Sequence, residues 1–139
     1  MKPLATLSLL YFLTAIAHSD DWPGWFGPQR DGVWRETEIL KEFPPSGPKL
    51  LWSAPVNRGY AGPAVANGKV YLMDRKVSDQ SAVSKNAFER GQIPGEERLL
   101  CLDAESGKVV WEESYPCDYT VSYAAGPRAT PLVDGERVY

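Results

Sequence analysis

Two parts of this chain repeat each other, and an internal repeat constrains a fold more strongly than composition does. Residues 63–71 align without a gap on residues 131–139, with identical Pro, Val, Val and Tyr at an offset of 68. Residues 49–52 align on residues 108–111 at an offset of 59. Both copies have the same order, which is an apolar stretch ending in Trp, then a loop, then a hairpin led by Pro.

The turn chemistry of the repeated segments favours β-hairpins. Asn67-Gly68 lies between two β-forming stretches, residues 63–66 and 69–73. This dipeptide predicts a type I′ turn, because both central residues of that turn need positive φ. Residues 130–139 begin a second hairpin, which we expect the chain to leave unfinished.

Three further segments are predicted to be strands, namely residues 49–52, 98–102 and 108–111. Asp103 and Gly107 predict a turn between the last two of these strands. The Asp side chain can bond to backbone N–H groups further along the chain, and Gly accepts the left-handed conformation. The local pattern is therefore that of an all-β protein.

Three stretches are predicted to be irregular or only briefly ordered. Residues 20–48 form an N-terminal strap rich in Pro, Gly and Trp, and within it residues 36–43 are expected to make a short helical turn before two prolines. Residues 75–96 are polar and are expected to be an exposed excursion between two strands. Residues 115–127 are expected to form a second, aromatic loop.

Four short strands per unit, at a period of roughly 40 residues without the long excursion, are typical of a β-propeller blade. The alternative is two unrelated hairpins in a sandwich. A four-stranded antiparallel blade has two apolar faces that neighbouring blades must bury. Residues 49–139 hold one blade and the start of a second, so we expect the remaining blades to be required for closure and the physiological protein to be longer, or this reading frame to be truncated.

The N-terminus has the pattern of a secretory signal. Lys2 gives a positive start, an apolar run follows, and Ala15 and Ala17 supply the small residues before a cut. We expect residues 1–17 to be removed, with a cut after Ser19 as the other choice. The alternative is a membrane anchor, but the run is shorter than the roughly 20 apolar residues that cross a bilayer. The expected location is periplasmic or secreted.

Charge and composition restrict the partners. The formal net charge is −3 at pH 7 and becomes −4 when Lys2 is removed, and the chain has no basic run. Nucleic acid and anionic membranes are therefore poor partners, and no later stretch is long and apolar enough to span a bilayer. The single histidine, His18, lies at the expected cleavage region, which disfavours histidine-based catalysis and metal binding.

Two cysteines, Cys101 and Cys117, remain after the expected cleavage. An oxidising compartment allows a disulfide between them. Buried free thiols, or partners elsewhere, are the alternatives. Their spacing is not that of a thioredoxin-type redox motif.

Residues 100–111 resemble the signature of the PQQ-type (pyrrolo-quinoline quinone) β-propeller repeat, which is approximately Ala-x-Asp-x-x-Thr-Gly-x-x-x-Trp. Asp103, Gly107 and Trp111 match, Ser106 stands for Thr, and Cys101 takes the place of Ala. The resemblance implies that Asp103 and Gly107 shape the turn between the third and fourth strands of a blade. It also implies that Trp111, and Trp52 aligned with it, dock adjacent blades.

Two more segments, residues 22–32 and 125–131, resemble exported bacterial PQQ-like propeller proteins. Some proteins of this fold are alcohol dehydrogenases that bind PQQ with calcium, but this sequence has no recognisable calcium ligands and no adjacent cysteines. No catalytic, cofactor-binding or metal-binding residue is therefore assigned, and PQQ with calcium belongs only to this alternative.

The favoured interpretation is a non-catalytic binding or assembly scaffold in the cell envelope, with envelope proteins as partners. It resembles the propeller lipoprotein of the outer-membrane β-barrel assembly machinery (BamB-like), without the lipid-attachment cysteine. A second alternative is a carbohydrate-binding propeller. Its aromatic side chains would stack on sugar rings or, in the simpler interpretation, only pack the loops, and they are Trp22, Trp25, Phe26, Tyr115, Tyr119 and Tyr123.

Overall fold

The computed structural model describes residues 20–37, 39–83, 86, 88, 91–121 and 125–139, and the predicted signal segment lies outside them. Within the described residues the chain is all-β, as predicted, with one short 3-10 turn at Gln80–Ala82. The strands are β1 (Ala64–Ala66), β2 (Lys69–Val77), β3 (Gly91–Ile93), β4 (Gly95–Asp103), β5 (Val109–Pro116), β6 (Tyr119–Val121), β7 (Val133–Asp134) and β8 (Arg137–Val138).

The main sheet has four antiparallel strands in the order β1-β2-β4-β5. Its centre is the pairing of β2 with β4, which runs from Lys69 opposite Asp103 to Val77 opposite Gly95. Two smaller antiparallel pairs, β3 with β6 and β7 with β8, complete the strands of the described residues. No closed sheet forms among these residues, so the propeller stays a prediction.

The first hairpin has the predicted two-residue turn. Ala66 lies opposite Lys69, and the two residues between them both have positive φ, 53° at Asn67 and 69° at Gly68. Both values belong to the left-handed region that a type I′ turn requires. The local prediction of hairpin and turn is therefore confirmed.

The second hairpin forms within the chain, so the prediction that it stays unfinished is wrong. Val133 lies opposite Val138, and Asp134 lies opposite Arg137. Leu132 and Tyr139 exchange two backbone hydrogen bonds of 2.9 Å, which extend the ladder by one pair. Two strands of only two residues each can form a hairpin because the turn holds their ends together.

The strap is joined to both hairpins by main-chain hydrogen bonds. The N–H of Trp22 donates to the carbonyl of Val65 (2.8 Å), and the N–H of Val65 donates back to Trp22 (2.9 Å). The next carbonyl of the strap, that of Pro23, accepts from the N–H of Val133 (2.7 Å). The strap therefore connects β1 to β7.

The hydrophobic core lies between the main sheet and the β7–β8 hairpin. Side chains alternate between the two faces of a sheet, and Tyr71 lies opposite Cys101 in the β2–β4 ladder, so both point to the same face. The hairpin covers this face with Val133 and the partly buried Val138. The buried apolar residues of this cluster are Ala64, Ala66, Tyr71, Cys101 and Val133.

The predicted strand at residues 49–52 is wrong, because these residues form no strand. Leu50 and Leu51 are 77% and 75% exposed. An apolar run becomes a strand only when another strand accepts its hydrogen bonds, and none of the described residues pairs with this segment. The helical turn predicted at residues 36–43 is also wrong for the residues described there, since an isolated helical turn before two prolines has few hydrogen bonds to offset its entropy.

Both predicted loops contain more strand than expected. β2 extends to Val77, and β4 begins at Gly95, so the excursion between them is shorter than residues 75–96. β5 likewise extends to Pro116. The two excursions also pair with each other, through β3 and β6. Strands of three residues whose partners lie far away in sequence give only a weak local signal, because each one depends on its partner for hydrogen bonds.

The turn between β4 and β5 has the geometry that its residues predict. The Asp103 carboxylate accepts hydrogen bonds from the backbone N–H (2.9 Å) and the hydroxyl (2.6 Å) of Ser106. The Ser106 hydroxyl, followed by its backbone N–H, holds the pKa of Asp103 below its usual value. Gly107 has a φ of 68°. The indole N–H of Trp52 donates to the Ala104 carbonyl (2.8 Å), which places the Trp52 ring against the glycine.

We expect Gly107→Ala to lower the free energy of unfolding by about 3 kcal/mol, because an alanine would be strained at this φ and its Cβ would overlap the Trp52 ring. Gly135→Ala is the matched control. Its φ is 59° with no atom near the added Cβ, so it should cost only about 1 kcal/mol. Urea unfolding measures both. Equal losses would show that the Trp52 contact contributes nothing.

Candidate functional site

A cleft of about 390 Å³ opens beside the end of the sheet that is remote from the β4–β5 turn. Its walls come from the main sheet, from β6 and from the segment before β7. The register places Glu97 of β4 directly between Arg75 of β2 and Tyr115 of β5, so these three side chains share one face of the sheet. The lining residues are Met73, Glu97, Tyr115, Tyr119, Val121 and residues 126–129.

Glu97 is the polar centre of this cleft. It is 9% exposed, and its two carboxylate oxygens accept hydrogen bonds from the hydroxyls of Tyr115 and Tyr119. A buried carboxylate needs such donors, since burial without them would cost several kcal/mol. The two tyrosine rings are therefore held in fixed positions as walls of the cleft.

The tyrosines have shifted acidities for the same reason. The hydrogen bond to Glu97, followed by burial, raises the pKa of Tyr115 to about 12. Burial, followed by the Glu97 hydrogen bond, raises the pKa of Tyr119 as well. Ionising either phenol would place a second negative charge beside the carboxylate. Both phenols are therefore hydrogen-bond donors at neutral pH.

Arg75 connects the cleft to the two excursions. It is 1% exposed and donates to the carbonyls of Ile93 (2.6 Å) and Cys117. Its guanidinium carbon lies 3.9 Å from the centroid of the Tyr119 ring, within the range of a cation–π interaction. A Cβ at Gly95 would lie 2.9 Å from an Arg75 nitrogen, so glycine there leaves room for the guanidinium.

The opposite face of the sheet carries a buried ion pair. Arg98 donates to both oxygens of Asp74 at 2.8 Å and 2.7 Å, and Asp74 is 1% exposed. The backbone N–H of Asn57 donates to the same carboxylate at 2.6 Å. Arg98 also reaches the exposed Glu112 at 3.2 Å. The pair therefore holds the segment before β1 against the sheet.

The two cysteines are free thiols, Cys101 buried and Cys117 partly buried. The N–H of Cys117 donates to the carbonyl of Gly95, which lies six residues along β4 from Cys101. At about 3.3 Å per strand residue the cysteines are about 20 Å apart, whereas a disulfide needs Cα atoms within about 7 Å. Burial raises the pKa of the Cys101 thiol, which makes it a poor nucleophile.

The four residues predicted to have structural roles in a blade lie at the β4–β5 turn and on β5. Asp103, Gly107 and Trp52 surround the β4–β5 turn. Trp111 lies on β5, with its ring 6.0 Å from that of Tyr71.

The aromatic residues proposed for sugar stacking do not share one site. Tyr115 and Tyr119 line the cleft, whereas Trp22 lines a separate cavity in the strap. Trp25 and Phe26 of the strap are exposed and contact each other edge to face. Tyr123 lies outside the described residues.

The sequence prediction missed Arg75, Glu97 and Asp74. No strand pattern marked them, because Asp74, Arg75 and Lys76 are three consecutive charged residues, and both Asp74 and Arg75 are buried. Polar character at those positions instead suggested a loop beginning at residue 75. Charged residues seldom lie in a sheet interior, so their burial became visible only with their partners.

Within the described residues there is no group of three or more His, Cys, Asp or Glu that could hold a metal ion. The same part of the chain contains no helix long and apolar enough to cross a membrane. No protein-family model, curated protein or solved structure matches the chain.

The cleft has the chemistry of a binding surface. Tyr115, Met73 and Pro127 give it apolar walls, and Arg128 places a cation at its rim, 4.4 Å from the centroid of the Tyr60 ring. The buried charged groups beneath the cleft, Glu97 and Arg75, already form hydrogen bonds within the protein. Apolar walls of this kind can accept apolar side chains.

Asp74→Asn should lower the free energy of unfolding at neutral pH by about 3 kcal/mol, because it leaves Arg98 without its buried partner. Glu112→Gln is the control. It removes the exposed partner of the same arginine and should cost less than about 0.5 kcal/mol. Urea unfolding gives both values, and similar costs would contradict the assigned importance of the buried pair.

The stabilisation from Asp74 should also depend on pH. Burial opposes its ionisation, but the hydrogen bonds from Arg98 and Asn57 outweigh that effect and lower its pKa. The unfolded value is about 3.9, so the stabilisation is present above about pH 4 and is lost as the pH falls through the folded value. The difference between wild type and Asp74→Asn should therefore shrink in acid.

A second pH effect should appear in alkali. Since the pKa of Tyr115 is about 12 when folded and about 10 when unfolded, its stabilisation is present below pH 10 and is lost as the pH rises through the folded value. Glu97→Gln should lower the pKa of Tyr115. The ultraviolet absorbance of the phenolate, recorded as the pH is raised, measures this titration. Glu96→Gln, on the opposite face of β4, should leave that titration unchanged.

Proposed function

We propose that this chain is part of an exported PQQ-like β-propeller that acts as a non-catalytic binding or assembly scaffold in the cell envelope. The observation that carries the proposal is the bonding of the strap. Its consecutive carbonyls, those of Trp22 and Pro23, accept from Val65 and Val133, which are equivalent residues of the two similar hairpins. The same strand therefore occurs twice, and one strap binds both copies.

The pairing within the two hairpins supports the same arrangement. Val65 pairs with Val70 as Val133 pairs with Val138, at the same offset of 68. In a propeller, equivalent first strands lie side by side around the central channel, and successive blades pack face to face. Burial of Val133 against the face of the main sheet is the contact that a second blade would make with the first.

The cleft supports a scaffold role. Its walls are fixed by the hydrogen bonds from Tyr115 and Tyr119 to Glu97, so a partner would meet a surface that needs little ordering. Envelope proteins are the expected partners, as in the BamB-like resemblance. Export to the periplasm or the exterior rests on the signal pattern of residues 1–17.

A PQQ-dependent alcohol dehydrogenase is the competing proposal. Its cofactor needs calcium ligands, and the described residues do not supply a group that could hold a metal ion. We therefore derive no chemical step through PQQ. The carbohydrate-binding alternative is favoured by one observation, the exposure of Trp25 and Phe26 at 65% and 56%.

Site-specific photocrosslinking in cells tests the scaffold proposal. A crosslinking residue at Ala129, an exposed position of the cleft, should capture an envelope protein of one defined mass. The same residue at Glu105, exposed in the β4–β5 turn, is the control and should capture none. The same products at both positions, or none at either, would contradict the proposed surface.

The dehydrogenase alternative has its own measurement. The full-length protein is incubated with PQQ and calcium, and alcohol-dependent reduction of a dye is followed. We expect no reduction above the rate without protein. Turnover that requires both PQQ and calcium would overturn the scaffold proposal.

A further inference from the structure

The outer edge of β5 has no partner strand among the described residues. β5 (Val109–Pro116) is the last strand of the main sheet and pairs only with β4. Its eight residues are all exposed, and it is longer than the roughly five or six residues of a usual strand. The unpaired main-chain groups of such an edge can accept a further strand. In the proposed propeller, blades pack face to face, so the edge stays open there as well.

The register identifies the main-chain groups that face outward. Residues of an antiparallel strand direct their N–H and C=O groups toward the partner strand and away from it in alternation. The N–H of Cys117 donates to a β4 carbonyl, and the pairing runs on from there without a shift as far as Trp111. Every second residue counted back from Cys117 therefore bonds to β4. The N–H and C=O groups of Ser114 and Glu112, which lie between them, face outward.

Both ends of this edge restrict which strands can bind. Pro116 has no N–H to donate. At the other end the register shifts between Trp111 and Val109, so the pairing is interrupted by a bulge. Prolines, bulges and charged side chains are the features by which sheet edges avoid unselective pairing. A bound strand is therefore confined to the stretch around Glu112 and Ser114.

The side chains of this stretch favour a strand that carries a positive charge. Trp111, Glu113 and Tyr115 lie on one face of β5, because side chains alternate. The Glu113 carboxylate is exposed and forms no hydrogen bond or ion pair with the described part of the chain. Glu112, on the other face, already reaches Arg98 at 3.2 Å. Glu113 is therefore the carboxylate of this edge that remains without a partner.

We propose that β5 accepts, by strand addition, an extended segment of a partner protein in which a Lys or Arg lies between two apolar residues at alternate positions. The basic residue lies across from Glu113. Because the main-chain groups of Glu113 face β4, this is a non-hydrogen-bonded pair with the added strand, and such pairs bring side chains closest. The apolar residues lie beside Trp111 and Tyr115, which are 37% and 48% exposed.

A second copy of β5 fits this edge poorly. Antiparallel pairing of β5 with itself about its centre would bring Glu112 and Glu113 of two chains together, and like charges across two strands repel. A strand with a central basic residue gains an attraction at the same position. The main-chain hydrogen bonds would supply the affinity, and the alternate side chains the selectivity.

Two peptides test the charge preference on the full-length protein. Both alternate Thr and Val, one with a central Lys and the other with Glu in its place. We expect the Lys peptide to bind about fivefold more tightly and its affinity to fall as salt is added. It should slow amide hydrogen exchange at Glu112 and Ser114 and leave that of Tyr115, already bonded to β4, unchanged. Equal affinities, or unchanged exchange at the two outward N–H groups, would overturn the proposal.

N-methylated peptides separate strand addition from a simple charge contact. The N–H of the central Lys points away from β5 in the proposed pairing, so methylation of that nitrogen should leave binding intact. The amide nitrogens of its two neighbours point toward β5, and their methylation should abolish binding while the charge stays the same. Equal effects of the two methylation patterns would contradict strand addition.

A charge reversal locates the selectivity. Glu113→Lys should make the Glu peptide the tighter ligand. Glu105→Lys, exposed in the β4–β5 turn, adds the same charge away from the edge and should keep the preference for the Lys peptide. If both variants keep that preference, or both reverse it, the role assigned to Glu113 is wrong. Unchanged circular dichroism of each variant shows that the fold is retained.

These outcomes are independent of the scaffold proposal. Crosslinking at Ala129 reports on the cleft, whereas hydrogen exchange at Glu112 and Ser114 reports on the edge of β5. Selective binding of the Lys peptide without a crosslink at Ala129 would support strand addition and contradict only the cleft. A crosslink without peptide selectivity would overturn strand addition alone.

Discussion

The pairing of β2 with β4 is the interaction on which the rest of this structure depends. It runs from Lys69 opposite Asp103 to Val77 opposite Gly95, and both neighbouring strands of the sheet attach to it. Because side chains alternate along a strand, this register decides which face each of them occupies. A slip of one residue would move every side chain of β2 or β4 to the opposite face.

The pairing of β2 with β4 also explains why one end of the sheet is apolar and the other end is polar. Near the hairpin turn, the face that carries Tyr71 and Cys101 is apolar and is covered by β7–β8. Further along, neighbouring residues Asp74 and Arg75 point to opposite faces, and each is buried with its own partners. A buried charged group is costly unless it is hydrogen-bonded, and these contacts hold both side chains in place. The polar end is therefore fixed in geometry, and the candidate cleft is built on it.

Prediction from sequence succeeded where neighbouring residues decide the conformation. Asn67-Gly68 specifies its turn because both residues adopt positive φ, and Asp103 with Gly107 specifies another through a side-chain hydrogen bond. It failed at residues 49–52, whose apolar pattern suggested a strand that has no partner. It failed again at β3 and β6, two strands of three residues that form because each one supplies the hydrogen-bond partners of the other. The partners of Glu97 and Arg75 could not be predicted for the same reason.

The sequence by itself determined the all-β class, the hairpin turns and the similarity between residues 63–71 and 131–139, because these depend on residue types and local spacing. Only the tertiary structure decided that consecutive carbonyls of the strap accept hydrogen bonds from both hairpins, and that Tyr115 and Tyr119 both donate to Glu97. Such contacts join residues far apart in the chain. Their positions follow from strand register and from the packing of whole elements, which no short window of sequence contains.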